Sequence, residues 1–284
     1  MTETKHIASI AQQTRRRAMV FPREHGAWGL LLVPLFTGLV AGFFPGHRVW
    51  ELFLFTVAAL ALFAVRTPVE GLLGTGAVTS RTSGERWTAL IASTGCSLLA
   101  LACMTVLICQ WRYSALLLLA PFVVCAFAMQ VILRRLGRRT RMISQVAGAI
   151  ALTSTAPAAY YIGTGRLDTR ALVLWIANWI FAGNQIHFVQ LRLHAIRAIT
   201  SREKLVRGRG FLAGQAVLLI VLVLASVARV LPSFAILAFV PALVRGCRWL
   251  VQKAEPLDVK KLGWSEMKHG VAFGILLAVA FLYS

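Results

Sequence analysis

Aspartate is almost missing from this chain. Only Asp168 and Asp258 occur, so no Asp-x-x-x-Asp pair of carboxylates can be written anywhere. Acidic residues of both kinds number 10, against 30 Lys and Arg. Charge as a whole is scarce at 14%, where a soluble domain carries roughly a quarter. An ordinary soluble domain is thereby excluded. The 5 cysteines, Cys96, Cys103, Cys109, Cys125 and Cys247, lie in or beside apolar runs. None forms a CxxC pair, which leaves neither a disulfide framework nor a zinc site. No internal repeat and no low-complexity segment stands out. The Arg15-Arg16-Arg17 run has no small-residue cleavage site after it, so it reads as a retained basic arm and not as an export signal.

What fills the chain is apolar: 58% of 284 residues, gathered in runs separated by short polar gaps. The runs fall near 26–44, 50–65, 87–109, 113–133, 142–162, 171–189, 211–228, 231–244 and 269–283. Spans of roughly 20 residues would use most of the chain. The expectation is an all-α membrane protein, a polytopic bundle of about nine transmembrane helices. It divides into a cytoplasmic basic arm, 1–20, and a single multi-span domain, 21–284. Two runs, 50–65 and 231–244, are short for a span and leave room for partly re-entrant helices.

The basic residues fix an expected orientation. All 30 except Arg48, Arg112, Arg166, Arg170 and Arg229 fall in the N-terminal arm or in alternate gaps. Short basic loops are retained in the cytoplasm. This places the N-terminus inside and the C-terminus outside a cell (inner) membrane. The net charge of +20 then points to anionic lipid at the cytoplasmic face and not to nucleic acid. The cytoplasmic gaps 66–86, 190–210 and 245–268 are the longer ones, as expected where a site is assembled.

Polar residues inside apolar runs are costly, so they face a partner helix or a wet cavity. At the start of the first run stand Arg23, Glu24, His25 and Trp28. They read either as an interfacial anchor, with Trp28 in the aromatic belt, or as the polar rim of a cavity in which His25 titrates and Arg23 holds an anion. The sixth run carries Asn178, Asn184, Gln185, His187, Gln190 and Arg192. Asn178, Gln185 and Arg192 are seven apart and form one stripe, with the others on a broad opposite side. Interhelical hydrogen bonding and a cavity wall are both open readings. The fifth run holds Gln145 and Thr153-Ser154-Thr155-Ala156-Pro157. Pro157 is expected to kink it while the hydroxyls re-satisfy freed carbonyls. Tyr160 and Tyr161 are expected in the outer aromatic belt. After the second run, Pro68 is expected to stop the helix, leaving Arg66 to snorkel or bind an anion. Glu266 and His269, three apart, read as a pair or as a solvated helix start.

The string Pro22-Arg-Glu-His-Gly-Ala-Trp-Gly-Leu-Leu-Leu-Val-Pro34 resembles the opening of the YwiC-like family of bacterial integral membrane proteins. The stretches Gly148 to Tyr160 and Trp175 to Val189 are similar to that family too. The resemblance implies a membrane protein and supplies no defined reaction. More distantly, the architecture resembles the UbiA-type prenyltransferases, nine-helix bundles with a cytoplasmic cap over a lateral cavity. Those enzymes hold Mg²⁺ against a substrate diphosphate with Asp-rich motifs. Here Arg66-Thr-Pro-Val-Glu70 and amides stand in the corresponding places, so that clamp cannot be built. No metal and no cofactor is expected. Arg23, Arg66, Arg134 and Arg192 remain able to hold an anion directly.

Four functions follow as expectations. The first is binding of an isoprenoid, lipid or anionic head group in a cytoplasm-facing lateral cavity. The ligand side chains would be Arg23, Glu24, His25, Trp28, Arg66, Gln145, Asn178, Asn184, Gln185, His187 and Arg192. The second is a metal-independent prenyltransferase-like enzyme using His25 or His187 as general acid or base. The third is a transporter, against which stands the lack of an obvious inverted repeat. The fourth is a structural partner in a membrane complex.

Overall fold

The computed structural model describes residues 14–15, 25–46, 48–75, 79–80, 82–137, 140–196, 200–252 and 257–283. The side chains of His25, residues 44–46 and Arg141 also lie outside the described set. The helices are α1 (His25–Gly46), α2 (Val49–Leu72), α3 (Ser83–Thr105), α4 (Leu116–Arg135), α5 (Arg141–Thr153), α6 (Thr155–Thr164), α7 (Thr169–His194), α8 (Ser201–Val227), α9 (Ala235–Val251) and α10 (Val259–Leu282). A single π turn, Val106–Gln110, extends α3. Seven of the described segments are long and apolar enough to cross a membrane. The protein is a polytopic helical membrane protein. α5 and α6 follow one another with only Ser154 between them, and this pair and α9 would raise the seven to nine transits. α9 has 17 residues, or about 26 Å at 1.5 Å per residue, somewhat short of the roughly 30 Å hydrocarbon core.

Local chemistry accounts for the helix ends. Thr82 and Glu85 form a reciprocal capping box at the start of α3. Glu85 also pairs with Arg15 at 2.7 Å, tying a residue of the basic arm to the bundle. Asp168 accepts from the Ala171 N–H to cap α7, and Asp258 accepts from Lys260 and Lys261 to cap α10. Both aspartates of the chain are therefore helix caps. Gly165, at φ +75°, ends α6 in the left-handed conformation that glycine adopts without a Cβ clash.

Prolines behave differently at two places. Pro68 does not stop α2, contrary to expectation: the helix continues to Leu72 with Pro68 buried inside it. Its missing N–H costs one bond, to Ala64, and the helix resumes on the far side. Pro157 does break its transit. The carbonyl it would have bonded belongs to Thr153, the last residue of α5. Thr153, Ser154 and Thr155 each turn a hydroxyl back onto a carbonyl of the preceding turn. The indole N–H of Trp175 donates to the Ile150 carbonyl and to Thr153 Oγ1, at 3.3 and 3.2 Å.

α1 is the central post of the bundle. It meets α6 backbone to backbone: a Cβ on Gly38 would collide with the Ala156 carbonyl, and one on Gly163 with the Gly42 backbone. Gly38 and Gly42 are the GxxxG spacing that permits close approach in lipid, where packing and not hydrophobicity holds helices together. On its other side α1 meets α10 through Val33, which sits 3.1 Å from where a Gly274 Cβ would be. Phe181 of α7 stacks on Phe273 of α10 at 3.8 Å between ring centroids, with Phe239 of α9 set edge-on at 5.1 Å from Phe273. At the end of the bundle remote from residue 25, Arg48 donates to the Tyr113 hydroxyl at 2.6 Å and to the Ile162 carbonyl at 3.3 Å. Burial raises the Tyr113 phenol above its ordinary pKa, so this latch stays neutral on the tyrosine side through the physiological range. Tyr160 and Tyr161 are buried at 5% and 8% exposure, which corrects their placing in an outer belt. Tyr161 packs edge-on against Tyr113, and its hydroxyl accepts from the Ala115 N–H.

Candidate functional site

The starts of α1, α5 and α10 and the ends of α2, α4 and α7 converge at one end of the bundle. A polar chamber of about 580 Å³ lies between them. Gly26, Ala27 and Leu30 floor it from α1, Gln145, Gly148 and Ala149 from α5, and Gln185 from α7. Beside it runs a second, almost wholly apolar slot of about 690 Å³ between α2, α3, α4 and the α5–α6 transit. Its walls include Phe55, Ala59, Leu62, Ala100, Leu116 and Ala158. From Phe55 to Arg66 the slot follows α2 for three turns, about 16 Å. Arg66, Gln130, Gly148 and Leu152 line both spaces, so the polar chamber and the apolar slot meet at these four residues.

The junction is a guanidinium clamp. Arg66 Nε lies 2.8 Å from Glu70 Oε1 and Arg134 Nη1 lies 2.7 Å from Glu70 Oε2. One carboxylate thus bridges two arginines and leaves one positive charge unneutralised. The Gln130 amide oxygen accepts from Arg134 Nη2 at 3.0 Å and from Arg66 Nη2 at 3.1 Å. Helix spacing explains the set: Arg66 and Glu70 are four apart on α2, Gln130 and Arg134 four apart on α4. Gly148 is small because the site demands it: a Cβ there would sit 2.6–3.0 Å from the atoms of the Gln130 amide group.

On the opposite wall Glu266 lines the chamber. Arg245 of α9 pairs with its Oε2, and both side chains are buried, at 6% and 7% exposure. The Arg245 guanidinium also donates to Asn184 Oδ1 at 3.1 Å and lies 4.1 Å from the centre of the Phe188 ring. Gln185 Nε2 donates to the Glu266 backbone carbonyl at 2.8 Å, fixing α10 against α7. Glu266 Oε1 has no hydrogen-bond partner among the described residues.

The residues named from sequence divide accordingly. Arg66, Gln145 and Gln185 stand together around the chamber. Trp28 packs inward, edge-on to Phe63 at 4.9 Å, and not toward an interface. Asn178 is away from the chamber, 1% exposed, donating to Thr37 Oγ1 at 3.0 Å across to α1. Asn184 serves Arg245. His187 lies edge-on to Phe211 of α8 at 5.2 Å and is not among the residues that line the chamber. Arg192 is half-buried in the last turn of α7. Arg23 and Glu24, and the side chain of His25, lie outside the described residues. Neither reading of Glu266, a solvated helix start or a partner of His269, holds: it is 6% exposed, Arg245 holds its carboxylate, and His269 Nδ1 meets the Ser265 carbonyl at 2.7 Å. Sequence reasoning missed Gln130 and Arg245 as site residues and misread Glu266. The available signal was an opposite charge pair and a lone amide, each within or at the edge of an apolar run.

Residues 21–160 match the family model described as YwiC-like protein. The match takes in α1 through most of α6, including Arg66, Glu70, Gln130, Arg134 and Gly148, and it ends before Trp175 to Val189. No curated protein and no solved structure matches the chain.

Proposed function

We propose, from the match of residues 21–160 to the YwiC-like family model and from the geometry of the site, that the protein binds an anionic amphiphile, a lipid or an isoprenoid, at the clamp. The observation that carries the reading is the junction of the two spaces: a head group meets Arg66 and Arg134 while its hydrocarbon lies along α2 in the apolar slot. Guanidinium groups bind phosphate and carboxylate through paired N–H donors. Each space falls within the usual few hundred to about 1,000 Å³ of ligand sites. The basic gaps at this end of the bundle support a cytoplasmic chamber in a bacterial inner membrane, with the N-terminus inside and the C-terminus outside. The nine transits and the cavity at the residue-25 end are the features that support likeness to the UbiA-type fold. The magnesium chemistry of that fold is not part of the reading, because a bridged arginine pair stands where it would need carboxylates.

Thermal unfolding of the detergent-purified protein tests this. Anionic amphiphiles, prenyl diphosphates among them, should raise Tm, while uncharged amphiphiles of the same chain length should not. Arg66→Ala combined with Arg134→Ala should remove the difference. A protein indifferent to every anionic amphiphile would overturn the proposal.

A further inference from the structure

We infer that the amphiphile taken by this site is a phosphodiester lipid with a hydroxylated head group, such as a glycerol or sugar phosphate. The inference rests on the proposed lipid site and goes on to name its ligand class. Three observations carry it. Among the described residues the clamp offers one net positive charge, because Arg66 and Arg134 share Glu70. A phosphodiester carries one negative charge and matches it. A phosphomonoester, at about −1.5 to −2 near neutral pH, or a diphosphate would bring excess charge into a half-buried site.

The second observation is Glu266 across the chamber. Arg245 neutralises its charge and occupies Oε2, which leaves Oε1 as a buried acceptor with no partner among the described residues. A buried acceptor without a donor is costly, and a ligand O–H relieves that cost. An ammonium head group is a poorer fit, since the carboxylate is already paired and the clamp adds further positive charge. The third observation is the lining itself. Gln145, Gln185, Ser144 and Thr75 put amides and hydroxyls between the two charged walls, side chains that can both donate to and accept from a polyol.

The test uses the full-length protein in detergent and native mass spectrometry with dioleoyl phosphatidylglycerol, dioleoyl phosphatidic acid, dioleoyl phosphatidylethanolamine and geranylgeranyl diphosphate. Phosphatidylglycerol should bind at least about tenfold more tightly than the other three, the discrimination expected of a hydrogen bond to a charged group. This ranking is read on the unmodified protein, so it does not depend on any variant folding. Glu266→Gln should reduce the preference over phosphatidic acid, because the amide N–H that replaces Oε1 offers the ligand hydroxyl only a neutral hydrogen bond in place of one to a charged acceptor. Equal or tighter binding of phosphatidic acid or of the diphosphate would overturn the inference while leaving the lipid site standing. So would full discrimination by a folded Glu266→Gln. Failure of all four to bind would remove the lipid site and this inference with it.

Discussion

Arg245 illustrates how one buried charge is made tolerable. It is held on three sides, by Glu266, by Asn184 and by the face of Phe188. Removing one partner of a buried ion pair leaves the other uncompensated, which costs about 3–5 kcal/mol. Arg245→Ala is therefore expected to lower resistance to denaturation by about that amount, read as the shift in an SDS unfolding transition. Arg248→Ala, exposed three residues on, should leave the transition within about 0.5 kcal/mol. Equal effects from the two would show that the pair contributes little. Lys204 shows the same economy. It is 4% exposed, yet its ammonium donates to the last carbonyls of α9, Trp249 at 3.4 Å and Gln252 at 2.5 Å. None of these partners is near in sequence, so only the pattern of opposite charge was legible, not the pairing.

At the scale of elements, α7 resolves a question its sequence left open. Two polar faces suggested either interhelical bonds or a cavity wall, and each polar residue proves to meet a different neighbour. Asn178 bonds α1, Asn184 bonds α9, Gln185 bonds α10, His187 packs on α8, and Gln190 donates to Gln145 of α5 at 2.8 Å. Where α7 is walled by other helices its polar residues meet a different neighbour on each side, while Leu172, Ile176 and Trp179, at i, i+4 and i+7, form an exposed apolar stripe along its first half. The α1–α6 contact is the opposite case, legible as GxxxG and small residues but silent about its partner. Gly163→Leu should prevent close approach and abolish a folded monomer on size-exclusion chromatography, because the obstruction is Gly42 backbone and cannot move aside. Gly95→Ala, with open space around its Cβ position, should fold normally and gain slightly from helix propensity. A well-folded Gly163→Leu protein would refute the packing argument.

For the whole molecule the orientation remains the decisive property, since it determines which compartment the chamber serves. In a cysteine-free background, Arg229→Cys and Arg112→Cys in intact cells should react with a membrane-impermeant maleimide, while Arg207→Cys should react only after lysis. The reverse pattern would place the clamp outside and end the argument from basic loops. The two ends of the bundle are built differently. One is closed by the Arg48, Tyr113 and Ile162 latch, and the other opens into the chamber.

The sequence by itself determined that the chain carries many membrane-length apolar runs, where they lie, with starts displaced by 10 residues at α8 and α10, and that no Asp-x-x-x-Asp pair occurs. These follow from composition and run length, which each segment carries alone because a helix satisfies its own backbone in lipid, where the alternative is a closed barrel of short alternating strands. Tertiary structure decided what the polar residues do. Arg66 became half of a clamp only when α4 brought Gln130 and Arg134 beside it. Glu266 changed from a solvated helix start to a buried chamber wall only when α9 supplied Arg245. Spacing along one helix fixes which residues share a face, whereas the partner across the gap is set by how the helices pack, and that is a property of the bundle as a whole.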